Sequence, residues 1–127
     1  DTMGHGTHGS TFGGNPLACA VGNSVLDTLS SEFIKNLNEN AKYLLNNLEK
    51  LVSDFPKIIT EVRGRGLMLG LKCKIENTMF VEEARNNKIL TIKASDNVVR
   101  LLPPLNISVE DCDIAISAIS ETCSKLS

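Results

Sequence analysis

Two hydroxyls sit side by side among glycines in the segment His8-Gly9-Ser10-Thr11-Phe12-Gly13-Gly14-Asn15-Pro16. Ser10 and Thr11 can donate hydrogen bonds, the glycines let backbone N–H groups come close, and a helix start adds positive partial charge. That combination suits a phosphate or a carboxylate. The same residues also fit a plain glycine-rich connection running into a Pro-started helix. The segment is neither a Walker A loop nor a dinucleotide fingerprint: it lacks the Gly-Lys-Ser/Thr ending, and no strand precedes it. A second candidate is Arg100, in Val98-Val99-Arg100-Leu101-Leu102 just before Pro103-Pro104. Its guanidinium is a planar fork matched to a carboxylate, and a strand end can hold it rigidly. The plainer alternative is an exposed arginine on a strand edge.

Other chemistry-bearing residues have weaker claims. Arg63 and Arg65 are anion ligands by type, but their interleaving with Gly64 and Gly66 reads better as a structural connection between strands. His5 and His8 lie three apart with Asp1 nearby. No third and fourth ligand follow at structural-zinc spacing, so loop packing is the reading and no metal is assigned. Cys19, Cys73, Cys112 and Cys123 form no C-x-x-C pair and have no histidine at motif spacing. They read as reduced residues on apolar faces rather than disulfides or nucleophiles.

The elements that must position these groups follow from periodicity. Residues 1–16 hold five of the nine glycines, both histidines and a proline, which describes a loop. Pro16 fits the first turn of a helix carrying Leu17, Val21, Val25 and Leu29 on one face. A second helix, about 31–53, places Phe33 (or Ile34), Leu37, Ala41, Leu44, Leu48, Leu51 and Val52 together, and Pro56 ends it. Strands are predicted at 58–62 and 67–74, joined through Arg63-Gly64-Arg65-Gly66. In the second of these, Leu67, Leu69, Leu71 and Cys73 share the buried face. A short helix over 78–87 precedes strands at 89–92 and 98–102, joined by a Ser95-Asp96-Asn97 turn. Ser108 with Asp111 marks the start of a last helix, striped by Cys112, Ala115, Ile116, Ile119, Cys123 and Leu126.

This order predicts an α+β fold: a small, mainly antiparallel sheet of about four strands covered by helices, preceded by the Gly-rich loop and long helices. Residues 1–30 read as loop and connecting helix, and 31–127 as the small domain. The chain of 127 residues suffices for one such domain, with 42% apolar residues and a core of Leu, Ile and Val. Thirteen basic against fifteen acidic residues leave a formal charge of −2, which argues against nucleic acid or an anionic membrane as partner. The longest apolar run, Leu17-Ala18-Cys19-Ala20-Val21, is far short of a membrane span, and no signal peptide is visible. A cytoplasmic location is expected. The start at Asp1, within a Gly-rich loop, reads as a cut through a larger protein.

Three strings are similar to the class III aminotransferases, in that family's order. They are Gly6 to Cys19 around the Ser-Thr pair, Val62-Arg63-Gly64-Arg65-Gly66-Leu67-Met68-Leu69-Gly70, and Asp96 to Ile107 around Arg100. Together they cover nearly the whole chain and resemble the acetylornithine-type subgroup. The resemblance implies the C-terminal part of a pyridoxal-phosphate enzyme that moves an amino group from N-acetylornithine to 2-oxoglutarate in arginine biosynthesis. It implies that Thr11 binds the cofactor phosphate in a neighbouring subunit's site within a homodimer. Ser10, beside it, would contact phosphate or substrate, and Arg100 would grip the substrate α-carboxylate. The lysine that forms the Schiff base in this family lies upstream of the Ser-Thr loop, so no catalytic residue is assigned here, and the fragment is expected to be inactive. Sibling enzymes acting on ornithine, succinylornithine, succinyl-diaminopimelate or 4-aminobutyrate share the three strings. The rival from another class is a non-enzymatic module that binds an anion or a partner protein.

Overall fold

The computed structural model describes residues 2–127. Asp1, and with it the third member of the His5–His8 group, lies outside the described residues. The chain divides into two compact units, one ending at Ile34 and the other running from Lys35 to Ser127.

The first unit is the glycine-rich loop and helix α1, Pro16–Thr28. Pro16 occupies the first turn, as its missing N–H allows, and Asn15 caps the helix by accepting from the Ala18 N–H at 2.9 Å. The expected stripe of Leu17, Val21 and Val25 is present, yet α1 buries none of its residues among the described ones. Helix α2, Ser31–Asp54, starts where the Ser30 hydroxyl accepts from the Phe33 N–H at 3.1 Å. It buries Ala41, Leu44, Leu48 and Leu51, one face at helical spacing.

In the second unit, strands β1 (Ile59–Arg65) and β2 (Met68–Cys73) form a hairpin. Helix α3 (Asn77–Asn86) follows, then strands β3 (Ile92–Ala94) and β4 (Val98–Leu101), then helix α4 (Val109–Lys125). The sheet is antiparallel throughout, in the order β1-β2-β4-β3. Leu69, Leu71, Cys73, Val99 and Leu101 alternate onto its inner face. There they join Leu44, Leu48 and Leu51 of α2, Phe80 and Ala84 of α3, and Cys112, Ile119 and Cys123 of α4 in one core. The helices cover that face; the other carries Glu61, Arg63, Arg65, Met68, Ile92 and Arg100, all exposed. Ser108 caps α4 as expected, accepting from the Asp111 N–H at 3.0 Å. Among the described residues no helix is long and apolar enough to cross a membrane.

Three expectations are corrected. Arg63 and Arg65 are not in a connection: β1 runs through Arg65, and the turn is only Gly66-Leu67. Position 64 pairs with Leu69 inside the hairpin, and it is a glycine because a side chain there has no room. A Cβ would stand 2.0 Å from the Met68 carbonyl oxygen, at φ +129°. The third strand is 92–94 rather than 89–92, because residues 87–89 close α3 instead. Ile89 N–H donates to Ala84 C=O and Lys88 N–H to Arg85 C=O, with Lys88 at φ +65°. That is a Schellman cap whose left-handed residue is lysine, so the usual glycine signal is missing. Finally, Cys73, Cys112 and Cys123 are buried, but Cys19 on α1 is exposed, since the helix carrying it buries nothing.

Candidate functional site

Ser10 and Thr11 lie in the first unit, where residues 11–14 form a turn between the glycine-rich stretch and the Asn15 cap. Ser10 C=O accepts from Gly13 N–H at 3.2 Å, closing the turn tightly over Ser10. A Cβ on Gly13 would stand 3.0 Å from the Ser10 Cβ and Oγ, which explains a glycine there. Gly14 takes φ +76° to lead into the helix. Upstream, the Thr7 hydroxyl is consumed locally: it accepts from Gly4 N–H and donates to Gly4 C=O. The Ser10 and Thr11 hydroxyls are both exposed and make no hydrogen bond among the described residues. Both are therefore open to a hydrogen-bonding partner. The start of α1 contributes less than expected. Pro16 has no N–H and Asn15 already holds Ala18, so the helix end is largely satisfied by its own cap.

Arg100 belongs to the second unit, on β4, with its side chain on the outer face of the sheet. Its register partners are Gly70 on β2 and Ile92 on β3, and Gly70 in turn faces Arg63 on β1. The row across the sheet therefore reads Arg63, Gly70, Arg100, Ile92, with no side chain on the central strand between the two arginines. Arg100 makes no ion pair among the described residues, and neither does Arg65.

Arg63 is engaged quite differently. Its Nε donates to Glu61 and its Nη1 to Asp96 Oδ2 at 2.6 Å. Lys72, one row along, places its Nζ 2.6 Å from Asp96 Oδ1 and also donates to the Asp96 carbonyl. Lys72 and then Arg63 hold the Asp96 carboxyl below its ordinary pKa, and Asp96 with Glu61 raises that of Arg63.

Asp96 reaches this position from the β3–β4 turn, where Asp96 and Asn97 both take positive φ, +57° and +52°. Asn97 anchors the turn from inside. Its Nδ2 donates to the Cys73 and Ile75 carbonyls, and its Oδ1 accepts from Asn77 N–H. Asp and Asn tolerate this conformation better than other side chains, which is the signal in Asp96-Asn97 beyond a simple turn. Sequence reasoning placed the turn but missed that Asp96 bridges Arg63 and Lys72.

Two other features are separate from these residues. An apolar cavity of about 190 Å³ lies between α2, α4 and the end of β4, lined by Leu44, Leu101, Leu102, Pro103 and Ile119 among others. None of Ser10, Thr11 or Arg100 lines it. Among the described residues no three His, Cys, Asp or Glu side chains gather as a metal site. None of the nine lysines is buried, and Lys72, the most shielded of them, is paired with Asp96. No lysine here is set in the desolvated pocket that would make its amine a nucleophile.

Comparison with known proteins bears on the whole chain. The family model described as aminotransferase class-III matches residues 1–123. The acetylornithine aminotransferase of Brucella melitensis is 45% identical over 123 residues, 96% of this chain and 30% of that protein. Among solved structures, the ornithine delta-aminotransferase of Plasmodium falciparum aligns with a TM-score of 0.85 at 33% identity, covering 97% of this chain and 33% of that one. The acetylornithine aminotransferase of Elizabethkingia anophelis aligns with a TM-score of 0.83 at 31% identity, again covering 97% and 33%. The chain thus spans about a third of the length of the relatives it matches. Its four-stranded antiparallel sheet, its helices and its similarity from end to end agree: the chain belongs to the class-III aminotransferases.

Proposed function

We propose that this chain is the C-terminal part of an acetylornithine-type aminotransferase, an enzyme that passes an amino group from N-acetylornithine to 2-oxoglutarate in arginine biosynthesis. The observation that carries the reading is the 45% identity to an acetylornithine aminotransferase across 96% of the chain. In this reading residues 1–30 end the large domain and 31–127 form the small one. The whole enzyme is a cytoplasmic homodimer in which the Ser10-Thr11 loop serves the neighbouring subunit's site.

Class-III aminotransferases use pyridoxal phosphate, and the loop fits its phosphate. The two hydroxyls are exposed and unengaged among the described residues, and Gly13 keeps the turn narrow. Thr11, with Ser10 beside it, would donate hydrogen bonds to the phosphate oxygens. When bound, the cofactor supplies the electron-withdrawing ring on which an amino group is exchanged. Arg100 would take the substrate α-carboxylate in a bidentate grip and so orient the reacting carbon. Ser10 is the second substrate contact. The lysine that carries the cofactor is not among this chain's residues, so the chain alone is expected to be inactive.

An ornithine-specific sibling is the second reading, favoured by the 0.85 TM-score to the Plasmodium enzyme. The test is glutamate formation by the full-length enzyme with pyridoxal phosphate, 2-oxoglutarate and either N-acetylornithine or ornithine. Higher kcat/KM for N-acetylornithine is expected. Preference for ornithine would overturn the donor assignment in favour of the sibling, and no transfer from either would overturn both.

A further inference from the structure

Arg63, Lys72 and Arg100 lie in neighbouring rows on the outer face of the sheet, and acids satisfy the first two. Arg65, two residues along β1 from Arg63, is unpaired among the described residues but lies outside the Arg63–Gly70–Arg100 row. Neighbouring strands stand about 4.8 Å apart, so Arg63 and Arg100, on either side of Gly70, are about 10 Å apart at Cα. Both guanidiniums sit on long stems; Gly70 raises no side chain between them, and the short Val98 side chain from β4 packs over it instead. Left bare, Arg63 would compete with Arg100 for any carboxylate arriving on this face, and a dicarboxylate could span the pair. It is not bare: Glu61 and Asp96 both bind it, and Asp96 binds Lys72 as well. The two acids and two bases sum to zero charge.

We propose that Asp96 is a specificity-determining residue: by bridging Arg63 and Lys72 it leaves Arg100 as the lone receptor for a carboxylate in its row of the sheet. The inference rests on the reading of Arg100 as the substrate-carboxylate ligand. Several observations beyond the ion pairs support it. Asp96 is set by a turn whose next residue, Asn97, is fastened to Cys73, Ile75 and Asn77, so the carboxylate is delivered by rigid backbone rather than by a mobile surface loop. It spans β1 and β2 at once, which Glu61 alone, bound only to Arg63, does not do. The consequence is one open anchor, Arg100, in that row of the sheet. A substrate that carries two carboxylates is then held by the correct end, because the alternative anchor is occupied.

The test uses the full-length enzyme loaded with pyridoxal phosphate, and glutarate, a dicarboxylate with no keto group, as competitor against the 2-oxo acid. Asp96→Asn keeps a side chain suited to the left-handed turn and keeps the backbone carbonyl that Lys72 uses. It should tighten glutarate inhibition about tenfold, the worth of one new charge-assisted contact, while acetate, too short to span two sites, changes little. Adding Arg63→Gln to Asp96→Asn should return the glutarate Ki to the parent value, which a merely structural role of Asp96 would not produce. Unchanged glutarate inhibition in Asp96→Asn and also in the Glu61→Gln/Asp96→Asn pair overturns the proposal. If the turn variant fails to fold, Arg63→Gln and Lys72→Gln in the parent give the converse test. Neither should alter the glutarate Ki by more than about twofold, and a larger loosening overturns the proposal by showing that these cations already hold the anion. Arg100→Lys separates the underlying reading. If it leaves glutarate inhibition of the parent unchanged, the assignment of Arg100 falls and takes this inference with it, whereas a loss there together with an unresponsive Arg63 sinks the inference alone.

Discussion

Asn97 is where a small change should do large damage. Its side chain makes three hydrogen bonds in a half-buried position, donating to Cys73 C=O at 2.9 Å and Ile75 C=O at 2.7 Å and accepting from Asn77 N–H at 2.8 Å. These tie the β3–β4 turn to the end of β2 and to the start of α3. Each neutral hydrogen bond contributes about 1 kcal/mol net, and more where its partner is left without water, so Asn97→Ala loses about 3 kcal/mol from bonding. The residue also holds φ +52°, which costs an alanine about 1 kcal/mol more. The total, about 4 kcal/mol, is a large fraction of the stability of an ordinary domain. Asn97→Gly loses the same bonds without the dihedral penalty, so it should be the milder change by about 1 kcal/mol. That reverses the usual ranking of glycine below alanine. Urea unfolding followed by far-ultraviolet circular dichroism measures both, with unchanged slopes showing that the comparison is of stability alone. An alanine variant that loses less than about 1 kcal/mol, or a glycine variant less stable than the alanine one, would refute the reasoning.

Gly64→Ala should cost more than about 3 kcal/mol, since its Cβ meets the Met68 carbonyl at 2.0 Å, whereas Gly66→Asn, at φ +58° in open space, should be nearly neutral by the same unfolding assay. A thiol reagent at mildly alkaline pH should label Cys19 promptly and Cys73, Cys112 and Cys123 only after denaturation; prompt labelling of more than one thiol contradicts the burial. Burial pushes the Cys73 thiol to about 11 and the Cys123 thiol to about 12. The folded state therefore keeps protons that the unfolded chain releases: the stabilisation is complete below the ordinary thiol pKa, and urea midpoints should fall as pH rises from about 9 toward these values. In the full-length enzyme, Arg100→Lys and Arg100→Ala should each lower kcat/KM at least tenfold at saturating pyridoxal phosphate, the loss of about two charge-assisted hydrogen bonds. Thr11→Ala should instead weaken cofactor retention, seen as activity recovered by excess pyridoxal phosphate. Unchanged kcat/KM in Arg100→Ala would leave that arginine an ordinary surface residue.

Much of this protein was legible from local pattern. The α2 and α4 stripes repeat at helical spacing, and Leu67, Leu69, Leu71 and Cys73 alternate as a half-buried strand must, because one face of each element meets the core. Pro16 and Ser108 mark helix starts through the groups they lack or offer, which is a property of the residue itself. The Ser10-Thr11 pair and Arg100 stood out for the same reason: hydroxyls among glycines and a guanidinium before a proline break are chemical facts of the chain. What tertiary structure decided is everything that depends on which strand lies beside which. Gly64 reads as a turn in sequence but sits within a strand pair, because the Met68 carbonyl approaches it from the other arm of the hairpin. The apolar stripe of α1 is visible in sequence, yet sequence does not say that it finds no partner in the described residues, and Cys19 is exposed for that reason. The array of Glu61, Arg63, Lys72 and Asp96 joins residues 35 positions apart, brought together by strand register and by a left-handed turn. Charges close in space attract regardless of their order in the chain, so only the folded sheet could tell Arg63, already paired, from Arg100, left open.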